Sequence, residues 1–278
     1  MTASNADSNN SETSGEFVNI VGTVRSCFKK RAGTPRQPLI VNSKGFIEMT
    51  CLNSGECIQN LSEYEYLWII FLFHQNTNTS RKLKLELLSE QEGSKKNLSN
   101  VKSKVKVPRL NGGKVGLFAT RTPHRPNPIG LSVVKINKIE GNRIYISGLD
   151  LVDGTPVLDI KPYIPSYDSI PNAIVPNWIN DSVVRPLNKT IWSDDALNQI
   201  ETLVKNKSFE YFESIEEIKQ VITDIVKLDI RSSHQRNQAE INENDKQDYY
   251  FLLDTVKVHF TFDGNMSATV VDVFLFNE

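Results

Sequence analysis

Between residues 17 and 163 the sequence breaks into short β-prone runs, at 18–24, 67–74, 101–107, 115–120, 131–139 and 143–147, each bounded by glycine, proline or asparagine. Runs this short, with no long helical period between them, exclude a doubly wound sheet, whose strands must be joined by helices. They predict a β-barrel or a folded sheet. The helical signal in this part is a turn at 61–66 with Ser62 as its N-cap. Prolines 162, 165, 171, 176 and 186 then crowd one stretch. That density suits neither a helix nor a central strand, so the segment reads as a surface linker and the main domain boundary.

Beyond the linker the period changes. Residues 194–205 and 214–228 carry helical spacing; in the second, Ile215, Ile218, Ile222, Ile225 and Val226 line one face, and Ser214 with Glu217 fits a capping box. After a polar stretch at 231–248, alternating runs at 250–262 and 266–276 flank Asp263-Gly264-Asn265, a hairpin-turn signature. The expectation is a mainly β protein: a disordered tail at 1–16, an N-terminal β-barrel over 17–168, a proline-rich linker over 169–193 and a small C-terminal α+β domain over 194–278.

With 278 residues and 39% hydrophobic content, the chain has material for ordinary cores. Its longest apolar stretch, 67–73, is seven residues, against the ~20 a helical membrane span needs. Cys27, Cys51 and Cys57 form no CxxC pair and no closely spaced histidines accompany them, so neither a disulfide framework nor a metal site is expected. Residues 1–16 are polar and acidic without arginine, unlike a secretory signal or a mitochondrial presequence, and the expected compartment is the cytoplasm. The net charge of −1 hides an asymmetry: 81–114 holds ten Lys/Arg against three Glu, whereas 194–254 holds seven against fourteen acids. The first stretch is a basic surface available to a polyanion, or simply a solvated edge.

The most unusual segment is GLFATRTPHRPNPIGL at 116–131. Pro123, Pro126 and Pro128 stiffen a loop that carries Arg121, His124, Arg125 and Asn127. Such a loop suits an anion or a nucleotide; the plainer reading is a crossover whose arginines pair with acids of the same domain. GTPRQP at 33–38 and DLVDGTPVLDIKPY at 150–163 share its character, and Asp153-Gly154-Thr155-Pro156 reads as a turn whose amides face a ligand. No Walker A loop, GxSxG, HExxH or post-strand GxGxxG is present, which excludes Rossmann-type readings.

Four segments in order, GTPRQP (33–38), YLWIIFLFHQN (66–76), PRLNGGKVGLFATRTPHRPNPIGLS (108–132) and SGLDLVDGTPVLDIKPYIPSYD (147–168), resemble the TrmO family of tRNA N6-adenosine methyltransferases. The resemblance is weaker beyond, where Asp229-Ile230-Arg231 departs from the family's Asp-Pro-Arg. It implies an S-adenosyl-L-methionine-binding barrel without a Rossmann sheet, a homodimer, no metal, and methyl transfer to N6 of N6-threonylcarbamoyladenosine in the anticodon loop of tRNA. The implied cofactor contacts are Pro35, Arg36, Gln37, His74, Gln75, Arg121, Leu131, Asp153, Gly154, Thr155 and Pro156. Arg125, Asn127 and Lys161 are implied on the substrate side, and Asp159 or Tyr163 as the acceptor of the N6 proton. The alternative is a nucleotide- or RNA-binding module of the same fold without catalysis; none of the matched cofactor positions is replaced, which favours the enzyme.

Overall fold

The computed structural model describes residues 19–51, 53–75, 102–107, 110, 113–180, 187–229, 248–262 and 267–276. The expected tail at 1–16, most of the basic stretch at 81–114, the polar stretch before residue 248, Ile230-Arg231 and the turn at 263–265 lie outside the described residues.

Strands β1 (Gly22–Ser26), β2 (Lys44–Met49) and β3 (Tyr66–Leu72) are followed by the short β4 (Lys104–Lys106) and β5 (Lys114–Gly116), then by β6 (Ile129–Glu140), β7 (Arg143–Ser147) and β8 (Thr155–Pro162). Six of them close into an antiparallel barrel in the order β1-β2-β7-β6-β3-β8, while β4 and β5 pair as a separate ribbon. Closure removes the free edges that an open sheet would expose. Period-two alternation fills the interior: Leu67, Ile69 and Phe71 of β3 are buried between half-buried neighbours, and they meet Val24, Ile47, Val134, Ile144, Ile146 and Val157.

The expectations for β3, β6 and β7 match these strands to within a few residues. The run at 18–24 is displaced to Gly22–Ser26, and 115–120 divides into β5 and a 3-10 turn at Leu117–Ala119. The helical turn expected at 61–66 is a 3-10 turn at Leu61–Glu63, and Ser62 lies within it rather than capping it. Asn60, at φ 62, begins the turn, because asparagine tolerates the left-handed region.

The second unit opens within the expected linker. Among single helical turns, α1 (Ser54–Cys57) lies between β2 and β3 of the barrel, whereas α2 (Pro165–Asp168) and α3 (Asn177–Asn180) precede β9 (Lys189–Trp192), α4 (Asp194–Lys205) and α5 (Ile215–Lys227). Ser193 Oγ caps α4 by accepting from Ala196 N–H at 3.0 Å, and Ser214 Oγ caps α5 by accepting from Glu217 N–H at 3.2 Å. The Glu217 carboxylate reaches Lys44 of β2 at 2.5 Å. The single run expected at 250–262 is two strands, β10 (Asp248–Leu253) and β11 (Val256–Phe262), turning at Asp254 with φ 54. With β12 (Ser267–Leu275) they form a sheet of order β10-β11-β12-β9, in which β12 and β9 run parallel. Its core unites α4, α5 and the sheet, and it also takes in Cys27, Phe28 and Val41 from the loop between β1 and β2. Among the described residues no helix is long and apolar enough to cross a membrane.

Candidate active site at the barrel end

Strand register brings three motifs to one end of the barrel. Val24 lies opposite Thr155, and Phe71 lies opposite both Gly130 and Val157, so the exits of β1 and β3 meet the entrances of β6 and β8. Phe71 packs where Gly130 has no side chain; an added Cβ would come within 2.1 Å of its ring. Here β3 runs out into His74 and Gln75, and β8 is entered through the turn at 152–155. Thr155 N–H donates to the Val152 carbonyl at 3.3 Å, and Gly154 has φ 77, the left-handed position that a type II turn keeps for glycine.

That turn is tied to β1. Asp153 N–H donates to the Phe28 carbonyl at 2.8 Å, Gly154 N–H donates to the Val24 carbonyl at 2.9 Å, and Ser26 N–H donates to Asp153 Oδ1 at 2.8 Å. The amides of the turn therefore face the barrel and not a ligand, contrary to the sequence expectation; side chains and carbonyls remain. The Thr155 hydroxyl donates to the Val152 carbonyl, and Thr155 Oγ1 lies 3.4 Å from His74 Nδ1. His74 Nε2 lies on the side of Gly154, where an added Cβ would stand 3.9 Å away.

Two cations missed by motif reading stand beside Asp153: Arg25 Nη1 at 3.9 Å and Lys29 Nζ at 4.0 Å from Oδ2. They flank the end of β1, outside any recognisable motif. Three residues earlier, Asp150 accepts a hydrogen bond from the Ser132 hydroxyl. Burial pushes the Asp150 carboxyl up, opposed by that hydrogen bond and by the positive charge of Arg121. Arg121, exposed, is thus electrostatically linked to this end of the barrel.

The rigid loop is built from local bonds. Arg125 N–H donates to the Pro123 carbonyl at 2.9 Å and Ile129 N–H donates to the Asn127 carbonyl at 2.7 Å, two γ-turns centred on His124 and Pro128, the second suiting the fixed φ of proline. Arg125 Nη1 donates to the Thr120 carbonyl at 2.8 Å and its guanidinium covers the Phe118 ring at 5.2 Å. Asn127 is exposed. In the loop between β1 and β2, Pro35 is buried while Arg36 and Gln37 are exposed; Gly33, at φ 91, presses on Phe251 of β10, where an added Cβ would sit 2.8 Å from the ring.

The remaining expected residues lie on the outer face of the barrel. Leu131, half exposed, is level with Ile70, and Ile70 is level with Asp159. Asp159 binds Lys161 Nζ at 2.7 Å. By strand rise, Asp159 is about 13 Å beyond Thr155, Lys161 about 20 Å and Tyr163 about 26 Å. The Tyr163 ring stands edge-on to Trp68 at 5.6 Å. The turn and His74 therefore lie near one end, Leu131 and Asp159 share a level farther along the barrel, and Lys161 and Tyr163 lie toward the other end.

The groups that the structure brings to this end are the cations Arg25 and Lys29 beside Asp153, Arg121 acting on Asp150, and the His74 ring beside Thr155, a set that suits a ligand carrying a carboxylate.

The profile of the tRNA-methyltransferase O N-terminal domain matches residues 23–169. The tRNA (adenine(37)-N6)-methyltransferase of Mus musculus is 44% identical over 161 residues, covering 56% of this chain and 33% of that protein. The "Putative S-adenosylmethionine-dependent methyltransferase RcsF" of Pseudomonas aeruginosa is 40% identical over 185 residues, covering 66% of this chain and 68% of that protein. The crystal structure of TrmO from P. aeruginosa superimposes with a TM-score of 0.68 at 27% identity, covering 94% of this chain and 97% of that one. The chain spans about a third of the length of the mammalian relatives it matches.

Proposed function

Because the chain belongs to the tRNA-methyltransferase O family, we propose that it transfers a methyl group from S-adenosylmethionine to N6 of N6-threonylcarbamoyladenosine, beside the anticodon of tRNA. The observation that carries this reading is the convergence of the Asp153 turn, His74 and the proline-stiffened arginine loop on one end of a closed barrel. S-adenosylmethionine, when bound, supplies a methyl group on a sulfonium that is already a good leaving group. The chain's task is then to align the attacking nitrogen and exclude water, and no protein nucleophile is needed. Arg121 or Arg36 pairs with the methionine carboxylate, Gln37 reads the adenine edge, Leu131 supplies apolar contact, and Pro35, His74, Gln75 and Asp153 to Pro156 wall the site. Gly154 is needed for the left-handed corner of the turn, at φ 77.

The N6 nitrogen belongs to a urea-like group and must lose a proton. Of the two acceptors considered, Asp159 is favoured over Tyr163, since it shares the outer row with Leu131 and stands nearer the turn. Arg125, Asn127 and Lys161 serve the RNA side. A single unpaired base is reached without opening a duplex. The half-exposed Ile129 and Leu131, next to Ile70 and Leu72, form an outer apolar face that supports a homodimer, and a tRNA substrate supports a cytoplasmic location.

The test is mass spectrometry of nucleosides from tRNA incubated with the protein and S-adenosylmethionine. One extra methyl on N6-threonylcarbamoyladenosine is expected, with none on tRNA lacking that modification and none from a folded Arg121→Ala variant. Cofactor binding without methyl transfer to either tRNA would favour the non-catalytic module instead.

A further inference from the structure

From residue 93 to residue 139 the sequence contains no aspartate or glutamate, while lysines and arginines recur throughout. In the described part of this stretch the β4–β5 ribbon aligns Lys106 with Lys114 and Lys104 with Gly116. Lys104, Lys106 and Lys114 therefore share one face of the ribbon, all exposed, with Val105 and Val115 on the other. None of the three forms an ion pair with a described residue.

The ribbon leads straight into the turn at Leu117–Ala119, and Leu117 N–H donates to the Ser103 carbonyl at 2.9 Å. Leu117 is buried, whereas the next side chain, Phe118, is 76% exposed. One face of its ring carries the Arg125 guanidinium, itself held by the Thr120 carbonyl, and most of the side chain remains exposed. An exposed aromatic ring beside a row of cations that pair with no described acid is the arrangement with which proteins hold single-stranded nucleic acid.

We propose that Phe118 is a stacking platform for a nucleobase of the anticodon loop, and that Lys104, Lys106 and Lys114 hold the adjoining phosphates. This rests on the tRNA reading above and assigns it a surface. A second copy of the chain is a poorer occupant, because it would bring the same positive surface against itself.

The experiment is fluorescence anisotropy with a labelled anticodon stem-loop RNA carrying N6-threonylcarbamoyladenosine, beside calorimetry with S-adenosylmethionine. Phe118→Ala is expected to weaken RNA binding by about tenfold while Phe118→Tyr stays within about twofold of the parent. The triple variant Lys104→Ala/Lys106→Ala/Lys114→Ala is expected to lower the slope of log K against log salt by about 2. Cofactor affinity is expected to be unchanged in both alanine variants. Parental RNA affinity in Phe118→Ala overturns the inference and leaves the tRNA reading intact. Loss of RNA binding that accompanies a shift from dimer to monomer in sedimentation assigns Phe118 to self-association and overturns it as well. A parent protein that binds S-adenosylmethionine but no RNA overturns both.

Discussion

Asp150 is held in a proton-linked state that the fold itself imposes. Burial raises its carboxyl above the usual range despite the Ser132 hydroxyl and the charge of Arg121. A raised carboxyl pKa means that, as pH rises past about 4, the unfolded chain ionises first and the folded chain lags. Stability is therefore lost over the window between the unfolded and folded values and is level above it. Asp150→Asn keeps an oxygen for Ser132 and removes the ionisation. The expected result is that the variant's stability relative to the parent, from urea melts at successive pH, climbs upward from about pH 4 and then levels. A difference independent of pH would show that the carboxyl is not shifted. Cys27 has the same physics: burial pushes its thiol up to about 12, so its role is packing and not chemistry. The sequence made Asp153 and Gly154 legible as a turn because glycine marks the left-handed position. It could not reveal that the turn's amides point at β1, since that depends on which strand closes the barrel beside it. Arg25 and Lys29 were equally hidden, being ordinary basic residues until register brings them to Asp153.

At the scale of elements, the β10–β11 connection shows why one part of the fold escaped sequence reasoning. Asp254-Thr255 has neither glycine nor proline, so the run at 250–262 reads as continuous. The turn is specified instead by a carboxylate: Asp254, 2% exposed, accepts from Glu210 N–H at 3.0 Å and from Tyr211 N–H at 2.9 Å, while its own N–H donates to the Cys27 carbonyl at 2.6 Å. Those partners lie far away in sequence. Asp254→Ala leaves two amides without an acceptor and is expected to cost about 2–3 kcal/mol, whereas Asp254→Asn, with one acceptor oxygen, loses less. Denaturant titration of the three proteins tests the order, and equal stability would show that water replaces the carboxylate. By contrast α4 and α5 were readable almost to the residue, because serine caps and an apolar stripe are local signals. Barrel strand β2 was not anticipated, since its punctuation is weak, and neither was β8, which carries Asp159 and Lys161 on its outer face and a proline near each end.

For the molecule as a whole, the question is what couples the barrel to the second unit. Ion pairs cross between them, Lys44 to Glu217 and Lys29 to Glu210, but their side chains are partly exposed, and pairs of that kind contribute about 0–1 kcal/mol each. The apolar insertion is larger. Cys27, Phe28 and Val41 are almost fully buried in the second core, and burying side chains of this size contributes about 1.5–3 kcal/mol apiece, a sizeable share of the ~5–15 kcal/mol that stabilises a typical domain. The same loop carries Pro35, Arg36 and Gln37 and is braced by Gly33 against Phe251. The second unit thus braces the loop that carries one wall of the proposed cofactor site. A chain ending at residue 168 is expected to melt at lower temperature than the full protein, to bind a hydrophobic dye at the exposed Phe28, and to hold S-adenosylmethionine more weakly because the loop has lost its brace. An unchanged melting temperature together with unchanged cofactor affinity would mean that the barrel orders this loop unaided. A lower melting temperature with full affinity would separate stability from site assembly and confine the second unit's contribution to packing.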